Sequence, residues 1–186
     1  MNMEIQDLVR RFIEDDQEAF TELVRRYKKR VYSVAYRMMG NHLDADEVTQ
    51  EAFVRIYDKR AEIRSASLFS SLLMRIATNY AIDLIRKRKK RFVSIDDDPA
   101  VVTNLMAELA DYESTPDRIL ENAELMEDVE KAVRTLPPRQ RMAIILHDIE
   151  GYAKTEVAEM MCCPQATVRS NLHIARLKLR KLLGKR

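Results

Sequence analysis

Near the end of the chain, Gln165, Arg169, Ser170, His173, Arg176 and Lys178 recur at the spacing that places them on the polar side of one helix. Their amide, hydroxyl, imidazole and cationic groups bond base edges and phosphates, the chemistry of duplex recognition. The opposite stripe is apolar, with Val168, Leu172, Ala175, Leu179 and Leu182 or Leu183 expected inside. A solvated basic face would carry the same charges, so the preceding residues decide between the two readings. A short helix is expected from Lys154 to Met161, burying Val157, Ala158 and Met161, and Cys162-Cys163-Pro164 ends it, since the residue before a proline is pushed out of helical geometry. Pro164, with φ preset, is expected to open the long final helix. Helix, three-residue turn and helix form the corner that lays its second helix into the major groove.

Two other clusters have chemical side chains but the wrong spacing. Cys162 and Cys163 share this segment with His147 and His173, but no Cys-x-x-Cys pair exists and cysteine is among the most buried residue types. Neither a metal nor a cofactor is expected. Asp44, Asp46 and Glu47 beside His42 suggest a metal-dependent hydrolase, yet no second histidine or carboxylate motif stands at ligand spacing. The expectation is a binding protein with no catalytic residue.

The elements that must position these groups are helices. The 186 residues include only 3 Gly and 5 Pro, Tyr and Phe supply every aromatic, and apolar residues recur at three and four with no strand-type alternation. The fold class is therefore all-α. Asp15 or Asp16 is placed to cap a long helix that ends at Gly40, Asn41 to cap a third with Leu43 among its apolar residues, and Leu68 to Arg91 to form a fourth. Net charge is only +2, but Lys and Arg crowd 86–91 and 169–186 while acids crowd 96–130. That asymmetry points to a polyanion partner for the basic parts. Residues 94–114 hold six acids and no Lys or Arg, with poor periodicity, so the expected organisation is a helical domain over 1–93, an acidic linker over 94–114 and a helix-turn-helix domain over 115–186, restarted at Thr115-Pro116-Asp117. The acidic start, Met-Asn-Met-Glu, and the lack of an apolar run near twenty residues lead us to expect a cytoplasmic protein without membrane insertion.

With both halves considered, the chain resembles bacterial RNA polymerase sigma factors of the extracytoplasmic-function (ECF) type. The residues that carry the resemblance are Asp44-Ala-Asp-Glu-Val-Thr-Gln-Glu-Ala-Phe-Val-Arg55, Arg75-Ile-Ala-Thr-Asn-Tyr-Ala-Ile-Asp-Leu-Ile-Arg86, Leu136-Pro-Pro-Arg-Gln-Arg141 and Ala166-Thr-Val-Arg-Ser170. It implies that Asp46, Glu47, Gln50, Glu51 and Arg55 dock on core RNA polymerase. It also implies that Arg64, Ser65, Ser67, Phe69, Ser70, Ser71, Arg75, Asn79 and Arg86 capture and melt the −10 element of promoter DNA. Phe69 fits either a stacking platform or the core. Gln165, Thr167, Arg169, Ser170, His173 and Arg176 would then read the −35 element, and an anti-sigma factor would restrain the protein. A stand-alone helix-turn-helix regulator is the alternative; the acidic face at Asp46 to Arg55 and the absence of a ligand domain weigh against it. Departures from the family pattern are Leu72 in place of tryptophan, Ala153 in place of a capping serine, Cys162 in place of a turn glycine, and Asn171 and Ile174 in place of arginines.

Overall fold

Side-chain and glycine stops mark out the helices of the first half. In the computed structural model, which describes residues 2–93 and 128–184, every element among those residues is helical. Helix α1 (Asn2–Ile13) leads to α2 (Gln17–Met39), whose cap Asp16 accepts from the Glu18 and Ala19 N–H groups at 2.9 and 3.1 Å. Gly40 ends α2 with φ 84, the left-handed value that glycine adopts without strain. Asn41 caps α3 (His42–Asp58) by accepting from Asp44 N–H at 2.9 Å. A 3-10 turn at Arg60–Glu62 follows, and Ser65 starts α4 (Ala66–Val93) by accepting from Leu68 N–H at 3.2 Å. α4 runs through the basic segment to Val93 without fraying at Arg86. Within that run Arg88 is bonded to the buried carboxylate of Asp44, which offsets one of its crowded like charges.

The second half is described from a helix over 128–134, here α5, which stops before Pro137. Pro138 opens α6 (Pro138–Ile144), which passes into a π turn at Ile145–Ile149. Gly151 reverses the chain at φ 80 ahead of α7 (Lys154–Met160) and α8 (Gln165–Leu183). The acidic linker expected over 94–114 and the helix start at Thr115-Pro116-Asp117 lie outside the described residues.

α2, α3 and α4 pack on one another with α1 across them, burying Phe12, Leu23, Met38, Ile56, Phe69 and Leu73. α8 packs on α6 and α7 through Val168, Leu172 and Ala175, which meet Met142, Ile145 and Val157 in the same apolar cluster. That cluster is continuous with the first half, so the halves share a core across α4, α6 and α7. The Ala66–Arg88 stretch is long and apolar enough to cross a membrane by length and composition, a longer apolar run than the sequence suggested. Here it is the central helix of the bundle, and Leu72, Leu73, Met74, Ala77 and Ala81 are buried within the protein.

Several expected orientations are corrected. Leu43 is 80 % exposed, since Ala45, Val48, Ala52 and Ile56 face inward and Leu43 lies about 200° of helical rotation from Ala45. Asp44, at the head of the acidic segment that carries the resemblance, is 1 % exposed and paired with Arg88. In α7 Met160 is buried and Ala158 only half-buried. Pro164 is the residue before α8, with an extended ψ of 147, so the helix starts one position later than expected. Leu182 is 49 % exposed because α8 has passed beyond α6 and α7 by then.

Candidate nucleic-acid and polymerase interfaces

The turn that aims α8 is closed by two backbone bonds, with the Cys162 thiol adding a weak bond to Glu159 O at 3.6 Å. Cys163 N–H donates to Ala158 O at 3.0 Å and Cys162 N–H to Glu159 O at 3.2 Å, the pair that defines a Schellman stop. Its left-handed position is Cys162, at φ 48. A side chain there costs about 1 to 2 kcal/mol relative to a residue that adopts this conformation freely. α7 is also weakly started: Ala153 has no side-chain acceptor, although Glu156 reaches back to accept from Ala153 N–H at 2.8 Å. The corner is thus built with two local defects and held by the apolar contacts of Val157, Met160 and Val168 beneath it.

On α8, Arg169, Ser170, His173 and Arg176 are exposed, with Gln165 and Thr167 half-buried in the first turn. Arg169 donates to Gln165 Oε1 at 2.9 Å. Arg176 is forked onto Asp148 at 2.6 and 3.0 Å, and the hydrogen bonds to this carboxylate make the guanidinium hold its proton more firmly than usual. The π turn creates that pairing by turning Asp148 toward α8, while Glu150 at its end faces α2. An ion pair this exposed is worth at most about 1 kcal/mol, so a phosphate competes for Arg176.

The acidic face of α3 is cross-braced. Asp46, Glu47, Gln50 and Arg55 are exposed and Glu51 is half-buried. Tyr80 Oη donates to Glu47 at 2.7 Å, and this bond, with some burial, pushes the phenol up to about 12. Arg55 donates to Glu51 at 2.6 Å and lies 4.7 Å over the Tyr80 ring. Leu43 and Val54 flank this face, 80 % and 57 % exposed. Sequence reasoning took Leu43 as core and passed over Val54; a helical wheel carries the signal, since residues 43, 47, 50 and 54 fall on one stripe.

The residues expected to capture a strand do not form one open surface. Arg64, Ser65 and Ser67 are exposed, but the Ser65 hydroxyl is engaged as the cap of α4 and lies 3.1 Å from Ser67 Oγ. Phe69 is 0 % exposed, packed edge-on against Phe12 and Tyr27 at 5.9 and 5.3 Å, so it is a core residue and is withdrawn from the stacking set. Ser70, Ser71, Arg75 and Asn79 are half-buried where α4 faces the second half, and Arg86 is exposed at the end of that seam. Ser70 Oγ lies 3.2 Å from Tyr152 Oη. Ser71 and Arg75 line a small cleft with Glu159 and Met160, and Asn79 and Arg86 line a cleft of about 290 Å³ with Arg139 and Met161.

Arg141 emerges as a fastening residue between the halves, a role its place in a basic-looking motif does not advertise. Its guanidinium donates to the carbonyls of Met38, Arg134 and Leu136, tying the end of α2 to the stop after α5. Burial, with Arg134 nearby, pushes it down to about 10. Among the described residues no group of three His, Cys, Asp or Glu converges to hold a metal ion. His42 is bonded to Tyr32 and stacked 4.8 Å from Tyr36.

Comparison with known proteins places both halves. The sigma-70 region 2 family matches residues 23–91 and the sigma-70 region 4 family matches residues 126–179. The chain is 32 % identical over 185 residues to the ECF RNA polymerase sigma factor SigW of Bacillus subtilis, covering 98 % of each protein. It is 36 % identical over 172 residues to the ECF RNA polymerase sigma-E factor of Escherichia coli, covering 92 % of this chain and 90 % of that one. Two solved structures share the fold at TM-score 0.67 and 23 % identity. One is the sigma factor RpoE with the anti-sigma factor NepR from Bartonella quintana, covering 89 % of this chain and 97 % of that one. The other is CnrH with the cytosolic domain of CnrY, covering 95 % of both.

Proposed function

This chain belongs to the ECF sigma factors of RNA polymerase, directing promoter-specific transcription as an alternative sigma factor, and from that premise we propose which of its surfaces does what. The α3 face of Asp46, Glu47, Gln50, Glu51 and Arg55 docks on core polymerase. The partner surface is basic, since three of these five groups are carboxylates, and Leu43 and Val54 supply apolar contact at its ends. α8 enters the major groove of the −35 element. There Arg169 exchanges its bond to Gln165 for a fork onto guanine O6 and N7, Ser170 and His173 reach neighbouring base edges, and Arg176 and Thr167 hold phosphate.

Strand capture at the −10 element falls to Arg64, Ser67, Ser70, Ser71, Arg75 and Asn79, with Arg86 on the backbone. Hydroxyl, amide and guanidinium groups bond the edges of unstacked bases. With Phe69 in the core and Leu72 only 5 % exposed, stacking at this segment is left to bases on one another or to polymerase. The protein acts by binding, in the bacterial cytoplasm, and its domains divide at the acidic segment 94–114. The sigma factor RpoE of one solved structure is held by the anti-sigma factor NepR, and a restraining partner of that class is proposed here too.

The observation that carries this reading is the presence, in one chain and in family order, of an exposed acidic face on α3 and an exposed base-reading face on α8. Sequencing transcripts made from genomic DNA by core polymerase, with and without the protein, tests it. A set of new start sites sharing one −35 and one −10 sequence is expected. Start sites unchanged by the protein would overturn the reading.

A further inference from the structure

We propose that Ile174 reads the C5-methyl group of a thymine in the −35 element, so that α8 selects an A·T pair near the guanine taken by Arg169. This rests on the assignment of α8 to the −35 duplex. Two large apolar side chains on α8 face solvent before its last turn, Ile174 at 39 % and Leu177 at 51 % exposure. Neither is an edge of the buried stripe. At about 100° per residue, Ile174 lies roughly 120° around the helix from Val168 and 160° from Leu172. Both instead continue the face of Arg169, His173 and Ser170. Leu177 falls between His173 and Ser170 on the helix circumference, and Ile174 stands about 40° past Ser170 and one turn, about 6 Å, further along the axis.

What Ile174 can read follows from what a base pair offers. An isoleucine side chain neither donates nor accepts, and the one apolar group that the base pairs present in the major groove is the C5-methyl of thymine. The same A·T edge carries the thymine O4 acceptor and the adenine N6 donor, matched by the exposed hydroxyl of Ser170 and imidazole of His173. Nothing polar competes on the far flank. Asn171, the next residue around the helix on that side, is half-buried and donates its amide to Thr167 O at 3.0 Å. A base pair arriving at this face therefore meets hydrogen-bonding groups at Ser170 and His173 and an apolar seat at Ile174, with Leu177 beside it to exclude water. Seating one methyl there raises affinity about fourfold, the factor that burial of one methylene-sized group carries.

The test titrates the full-length protein, at one fixed salt concentration, with −35 duplexes from the promoters it directs. Each thymine is replaced in turn by uracil, which keeps the base pair and removes only the methyl. Wild type is expected to bind about fourfold more weakly when the thymine facing Ile174 is replaced. Ile174→Ala is expected to bind the unmodified duplex about fourfold more weakly and to lose its response to uracil at that position, the coupling that a direct contact produces. Ile174 is exposed and alanine favours helix, so the circular dichroism of the variant should match wild type. Indifference of the wild type to uracil at every thymine overturns the proposal but not the assignment of α8, which Arg169→Ala tests on the same duplexes. A uracil response that persists in Ile174→Ala also overturns it, because the methyl is then sensed elsewhere. If Ile174→Ala keeps that response and binds core polymerase more weakly, the apolar side chain serves a protein partner and the proposal fails.

Discussion

The faces of α3 and α8 are both polar and both exposed, but the protein holds them in different ways. On α3 the functional groups are braced to a second helix: Tyr80 bonds Glu47, Arg55 covers Tyr80, and Asp44 beneath them is paired with Arg88. On α8 the bonds are local or exposed. Arg169 reaches one turn back to Gln165, Arg176 reaches the exposed Asp148, and Ser170 and His173 make no side-chain hydrogen bond among the described residues. A face braced before binding loses less side-chain entropy on docking. The face proposed to read DNA lacks such bracing, as bonds that are to re-form on bases and phosphates require.

Charge reversal on the braced face should have the largest effect. Glu51→Lys places a cation beside Arg55 and opposite a basic partner, and it is expected to weaken polymerase binding by at least about 3 kcal/mol, more than a hundredfold. Binding to −35 duplex should stay within experimental error, and circular dichroism should confirm that the helices persist. On the unbraced face the expected loss is smaller and sequence-dependent: Arg169→Ala should cost about 1 to 3 kcal/mol on the cognate duplex and relax preference at one base pair. Binding titrations against single-base variants of the site separate this from a phosphate contact, whose loss would weaken every sequence equally. The smallest effects lie in the corner that carries α8. Cys162→Gly removes a left-handed side chain and Ala153→Ser supplies the missing cap oxygen, and each is expected to raise stability by about 1 kcal/mol, read as a higher Tm. A lowered Tm for Cys162→Gly would mean that the cysteine side chain contributes contacts outweighing its backbone strain.

Local chemistry was legible in the sequence wherever it acts within a few residues. Asp16, Asn41 and Gly40 stop or start the chain where their side chains and φ values require, and the inward stripe of α8 follows from period alone through Ala175. Period assigns a face but not what covers it. Leu43 was misjudged because an apolar residue in a first turn resembles a core residue until the neighbouring helix is known to face the stripe of Ala45 and Val48. Phe69 was open between core and DNA for the same reason, and the aromatic cluster with Phe12 and Tyr27 settles it. The seam between the halves was the least legible, since Arg30, Ser70, Arg141 and Glu150 come from distant segments and each looks like an ordinary surface residue in its own. Only the three-dimensional pairing reveals that Arg141, in the Leu136-Pro-Pro-Arg-Gln-Arg141 motif, fastens one half to the other.

The central claim is that α3 and α8 serve different partners, and it is tested most directly by measuring one pair of variants against both. Affinity for core polymerase and for −35 duplex would be determined for the full-length wild type, Glu51→Lys and Arg169→Ala under the same buffer and salt. The account predicts a crossed result: Glu51→Lys loses polymerase and keeps duplex, while Arg169→Ala keeps polymerase and loses discrimination at one base pair. Equal losses of both affinities in either variant would contradict it.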